Sequence, residues 1–71
     1  EFQNMTVAKI IELIGSSPNS WEEATKNAIT EAAKTVKGIK SIHVERLTAK
    51  VEKNKIVEYR AVVRVAFVVQ R

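Results

Sequence analysis

Cysteine is absent from this chain of 71 residues, so neither disulfides nor thiolate metal sites can stabilise it. Aspartate is absent as well, and with it any calcium loop of the EF-hand kind. One proline and two glycines leave no material for a glycine-rich phosphate cradle. No apolar run approaches the roughly 18 residues of a membrane helix, and no secretory signal is visible. The expectation is a cytoplasmic protein without a membrane partner. Near this length a single core barely offsets chain entropy, so oligomerisation is the remaining stabilising device.

What is present is ordinary in amount and particular in order. Hydrophobic residues make up 45%, enough for a packed core and too many for a disordered chain. Glu1-Phe2 is what a common cloning site encodes, so residues 1–4 read as a cloning remnant and residues 5–71 as one domain. Without Glu1, twelve basic against seven acidic residues give +5 (12 − 7). The basic residues are dispersed, with no polybasic cluster and no basic-aromatic alternation, which argues against nucleic acid as a partner.

Thr6–Gly15, "TVAKIIELIG", is β-branched and apolar and stops at glycine, as a strand does. Ser20 stands three residues before Glu23, the capping-box spacing at a helix start. Trp21, Ala24, Ala28, Ile29, Ala32, Ala33 and Val36 then form one helical stripe, with Gly38 as its stop. The four alanines imply a helix lying close to what it covers. In "IKSIHVERLTAKVE" (Ile39–Glu52), Ile42 and Val44 fall out of phase with Leu47, Ala49 and Val51; a bulge near Glu45 and Arg46 reconciles them. Asn54 suits a left-handed turn. Ile56–Gln70 alternates cleanly, with Val57, Tyr59, Ala61, Val63, Val65, Phe67 and Val69 on one face.

The order is β-α-β-β, an α+β fold whose third, most apolar strand sits in the middle of an antiparallel sheet. A sixteen-residue helix of about 24 Å cannot cover strands of roughly 48 Å. The overhanging ends, together with Val62, Ala66 and Val68 on the far face, therefore call for another subunit.

"GSSPNSWEEA" (Gly15–Ala24) offers one glycine, and Glu22 and Glu23 in the first helical turn repel anions, so it reads as a helix start with Trp21 as its anchor. The same segment, "ELIGSSPNSWEEA" within "KIIELIGSSPNSWEEATKNAITEAAKTVKGI" and followed by "EYR" and "VAF", resembles the dodecin family from about Val7 to the C-terminus. The resemblance implies a sheet partly wrapped around one helix and a hollow homododecamer of 23 symmetry. It also implies flavin as cofactor (riboflavin, FMN or FAD), stored and shielded from photochemistry. The family's stacking tryptophan falls at Ser41, in "SIHV", and its flavin-binding glutamine at Arg60. Arginines of some members fall at Thr48 and Val68. The resemblance therefore implies a ligand pocket of Ser41, His43, Thr48 and Arg60, with flavin binding weakened.

Other candidates are sparse. His43, the single histidine, cannot by itself anchor a zinc site. Glu45, Glu52 and Glu58 either bind cations at axes of an assembled shell or pair with Arg46, Lys50, Arg60 and Arg64. No nucleophile-base pair points to an enzyme. Two functions remain: a cage that stores a small ligand, or a non-flavin shell whose basic surface or symmetric ion sites bind anions or metal ions.

Overall fold

A computed structural model describes residues 7–69. The expected cloning remnant, residues 1–4, lies outside them. The elements follow as β1 (Ala8–Ser17), α1 (Trp21–Ala33), β2 (Ile39–Glu52) and β3 (Lys55–Val68). They form the β-α-β-β fold expected, with the sheet in the order β1-β3-β2 and both neighbours antiparallel to β3.

The core lies between α1 and one face of β3. Ala61, Val63 and Val65 are fully buried against Ala24, Ala28 and Ala32, and Ile11, Leu13, Val36, Ile39 and Ile42 close the edges. Alanines four apart give α1 a flat stripe, so its backbone comes down onto β1. Gly15 makes the contact possible: a Cβ there would overlap the carbonyl oxygen of Ala24 and lie 3.0 Å from the Ala28 Cβ. Ala33, counted in the stripe by sequence, is exposed.

The helix starts as its sequence predicts, but only half of the capping box forms. Ser20, in extended backbone, accepts a hydrogen bond from the Glu23 amide at 3.0 Å. The Glu23 carboxylate does not reach back to the Ser20 amide. It accepts instead from the Ser17 hydroxyl at 2.5 Å and the Asn19 side-chain amide at 2.7 Å. Ser17 is buried, and a buried hydroxyl competes strongly for a partner.

The helix also ends three residues short of Val36. The Thr35 and Val36 amides both bond to the Ala32 carbonyl, as does the Thr35 hydroxyl at 3.4 Å, and this tightened turn stops propagation. Gly38, with φ of 76°, then turns the chain into β2 rather than capping α1.

A register shift between Val44 and Arg46 is the bulge that the alternation required. It sets Leu47 opposite Ala61 and Ala49 opposite Tyr59, on the same face as Ile42 and Val44. A second shift at Lys50/Val51 makes Val57 the extra residue of β3 and sets Val51 opposite Ile56. Lys53 and Asn54 both take positive φ, 52° and 65°, the signature of a two-residue I′ hairpin turn. The thirteen-residue helix spans about 20 Å, whereas the molecule is 53 Å long. Leu47, Val51, Ile56 and Val57 on the overhanging hairpin are exposed. Among the described residues no helix is long and apolar enough to cross a membrane.

Candidate functional site

The face of the sheet turned away from α1 carries Arg60, Val62, Arg64, Ala66 and Val68 of β3. Flanking them are Ile10, Glu12 and Ile14 of β1 and Ser41, His43, Arg46 and Thr48 of β2. Among the described residues no element covers this face. Its exposed apolar side chains are Ile10 at 64% and Ile14 at 68%. Val62, expected to be open, is only 8% exposed. It lies on the central strand between Ile14 and Arg46, whose larger side chains shield it.

Ile10, Ser41, Ile42, His43, Arg64 and Ala66 line a groove of about 350 Å³. Ser41 stands opposite Ala66 and His43 opposite Arg64. The expected pocket of four residues is thereby divided. Thr48 and Arg60 are opposite one another, but four residues further along β3, about 14 Å from the His43–Arg64 rung.

The electrostatics of the face rest on pairs. Arg64 holds Glu45 at 2.7 Å and Glu12 at 3.6 Å. The Arg60 guanidinium donates twice to one oxygen of Glu58, at 2.8 and 3.1 Å. Glu52 meets Lys50 at 3.6 Å. Glu45, Glu52 and Glu58 thus take the cross-strand and near-neighbour pairing that was one of their two readings. Each exposed pair contributes little stability, at most about 1 kcal/mol. Their larger effect is on recognition: the Arg60 guanidinium already holds Glu58 with two of its donors. Among the described residues no three His, Cys, Asp or Glu side chains gather as metal ligands.

The sequence reading missed the part of Glu12 and, although it took Trp21 as the anchor of the helix start, the bond that Trp21 makes to β2. Glu12 joins Arg64 only because β1 pairs with β3, and no local motif reports that pairing. Trp21 donates its indole N–H to the Thr48 carbonyl at 2.8 Å and packs edge-on to Tyr59, centroids 4.9 Å apart. It therefore fixes β2 behind the Thr48–Arg60 rung from the opposite face. Glu23, further along the same helix entrance, is held below the usual glutamate range by its hydrogen bonds from Ser17 and Asn19, with help from Lys26.

The arrangement offers a shallow amphipathic surface. It can hold a small molecule between apolar and polar side chains, and the exposed isoleucines leave it open to a second wall.

Comparison with known proteins places this geometry. The Dodecin family model matches residues 7–70. Calcium dodecin of Mycobacterium tuberculosis is 35% identical over 63 residues, 89% of each chain. The crystal structure of that calcium-chelating antigen matches with a TM-score of 0.79, covering 90% of this chain and 91% of its own. An arginine-to-alanine variant of the Thermus thermophilus dodecin matches at 0.89 with 27% identity, over 93% and 98% of the two chains. The dodecin of Streptomyces coelicolor reaches 0.92 at 19% identity over 97% and 99%, a likeness of fold alone.

Proposed function

The chain belongs to the dodecin family, and from that premise we propose that it forms a homododecameric cage storing a small ligand in the cytoplasm. The observation that carries the reading is the uncovered sheet face, where Ile10 and Ile14 stand exposed beside the groove of Ser41 and His43. A chain this small gains by burying such a face against copies of itself. The overhanging hairpin, with Leu47, Val51, Ile56 and Val57 exposed, supports the same conclusion. No catalytic step enters this reading.

Flavin is the ligand the family suggests, and this chain grips it weakly. Ser41 at the stacking position removes about 1–3 kcal/mol per ring, which amounts to roughly ten- to hundredfold in affinity. Arg60 at the glutamine position has donors but no acceptor, and Glu58 engages two of those donors.

A second reading is a shell that binds cations, after the calcium named for the Mycobacterium tuberculosis relative. Glu12 and Glu45 bring two carboxylates together, but both already pair with Arg64, so a cation there competes with that guanidinium. With no three-ligand group in one chain's described residues, such a site draws carboxylates from more than one copy.

Native mass spectrometry of freshly purified protein separates these readings. A twelve-subunit mass carrying flavin supports flavin storage despite Ser41 and Arg60. Twelve subunits with calcium and no flavin support the cation shell. A monomer under the same conditions overturns the cage.

A further inference from the structure

A second groove, of about 370 Å³, lies at the far end of the molecule, on the side of the sheet that carries α1. Its lining is Lys9 of β1, Thr35, Val36 and Lys37 after the helix, and Phe67 to Val69 at the end of β3. Its origin is the length mismatch between helix and sheet. Lys9 pairs with Phe67 two residues beyond Ile11 and Val65, so it sits on the core-side face where alternation otherwise supplies apolar residues. Because α1 stops at Ala33, it does not cover this rung. The frame is pinned on both sides: the Val68 amide bonds to the Gly38 carbonyl at 3.2 Å and the Val69 amide to the Val7 carbonyl at 2.8 Å.

Two features give this groove a charge preference. Among the described residues, neither Lys9 nor Lys37 has a carboxylate within ion-pair distance, whereas Lys26, Lys34 and Lys50 each do. Nor are the two lysines taken up in capping the helix at Glu31 and Ala32. The Glu31 carbonyl accepts from the Lys34 amide, and the Ala32 carbonyl from the Thr35 and Val36 amides. Two lysines therefore line a groove whose apolar floor is Val36, Phe67 and Val69, all half-buried. The volume falls at the lower end of the range for small-molecule sites.

We propose that this groove binds a free amphipathic acid, its carboxylate between Lys9 and Lys37 and its aliphatic chain along Val36 and Phe67. The charge pattern selects the anion, and the floor requires an apolar body rather than a bare inorganic ion. This site is separate from the groove of Ser41 and His43, which lies on the opposite face.

Equilibrium dialysis of the full chain against labelled decanoate and labelled decanol tests it. Native mass and thermal unfolding are followed in parallel. Decanoate is expected to bind saturably, and decanol at least about tenfold more weakly. Lys9→Gln with Lys37→Gln is expected to weaken decanoate by about tenfold while leaving mass and unfolding midpoint unchanged. Non-saturable uptake, or equal binding of decanol, overturns the proposal. So does a double variant that lowers the midpoint yet keeps decanoate affinity, since the lysines would then serve only the negative end of α1.

Discussion

The indole nitrogen of Trp21 lies 2.8 Å from the carbonyl oxygen of Thr48, joining the first residue of α1 to β2 across 27 positions of sequence. With the edge-on contact to Tyr59, it ties the helix start to the hairpin side of the sheet. Trp21→Phe keeps a ring and loses the donor, and is expected to lower stability by about 1 kcal/mol in urea unfolding. An unchanged midpoint would show that the bond is replaced by water at no cost.

Glu23 gives the fold a pH dependence of known sign. Hydrogen bonds from Ser17 and Asn19 favour its charged form and depress its pKa in the folded state. The unfolded chain therefore binds the proton more readily. The stabilisation is present above the ordinary glutamate range and is lost as pH falls through the lower, folded value. Thermal midpoints measured from pH 7 down to about pH 3 should fall less steeply in Glu23→Gln than in the parent. Parallel curves would remove Glu23 from the acid response.

Ser41 and Arg60 stand where the family resemblance puts the stacking and edge-binding residues. If those positions correspond, Ser41→Trp with Arg60→Gln should strengthen flavin binding by about ten- to hundredfold, read as quenching of flavin fluorescence. The single Arg60→Gln change lacks the stacking ring, so it is expected to bind flavin more weakly than the pair. Absence of any gain in the double variant would reject the correspondence.

Ile14 is the sharper probe of assembly. At 68% exposure it contributes little to its own chain, so Ile14→Asp should leave the circular dichroism spectrum unchanged and yield subunits smaller than twelve by light scattering. Val62→Asp is a different experiment. At 8% exposure its burial is internal, and a carboxylate there unfolds the chain itself. A full-size assembly from Ile14→Asp would show that this face is not the contact.

Much of the fold was legible because it rests on local periodicity. The alternation from Ile56 onward, the phase break at Glu45 and Arg46, the Ser20 cap and the left-handed Asn54 each report backbone geometry through neighbouring residues. The errors occurred where a side chain had a choice of partner. Glu23 takes Ser17 and Asn19 over the Ser20 amide, and the Thr35 hydroxyl turns back to Ala32 while the helix stops. The first preference is not visible without knowing that Ser17 is buried.

The site was less legible for the same reason. Ser41 and His43 share a groove, but Thr48 and Arg60 lie about four residues of strand away, a separation that depends on register. Glu12 reaches Arg64 and Glu58 engages Arg60 only in the folded sheet. Amino-acid order alone determined the strands, the helix and the central place of β3, since those follow from which residues are apolar and how they alternate. Tertiary structure decided which charges were already spent, which isoleucines stayed exposed and where Lys9 and Lys37 face one groove. Those outcomes depend on distances between strands that no local pattern encodes.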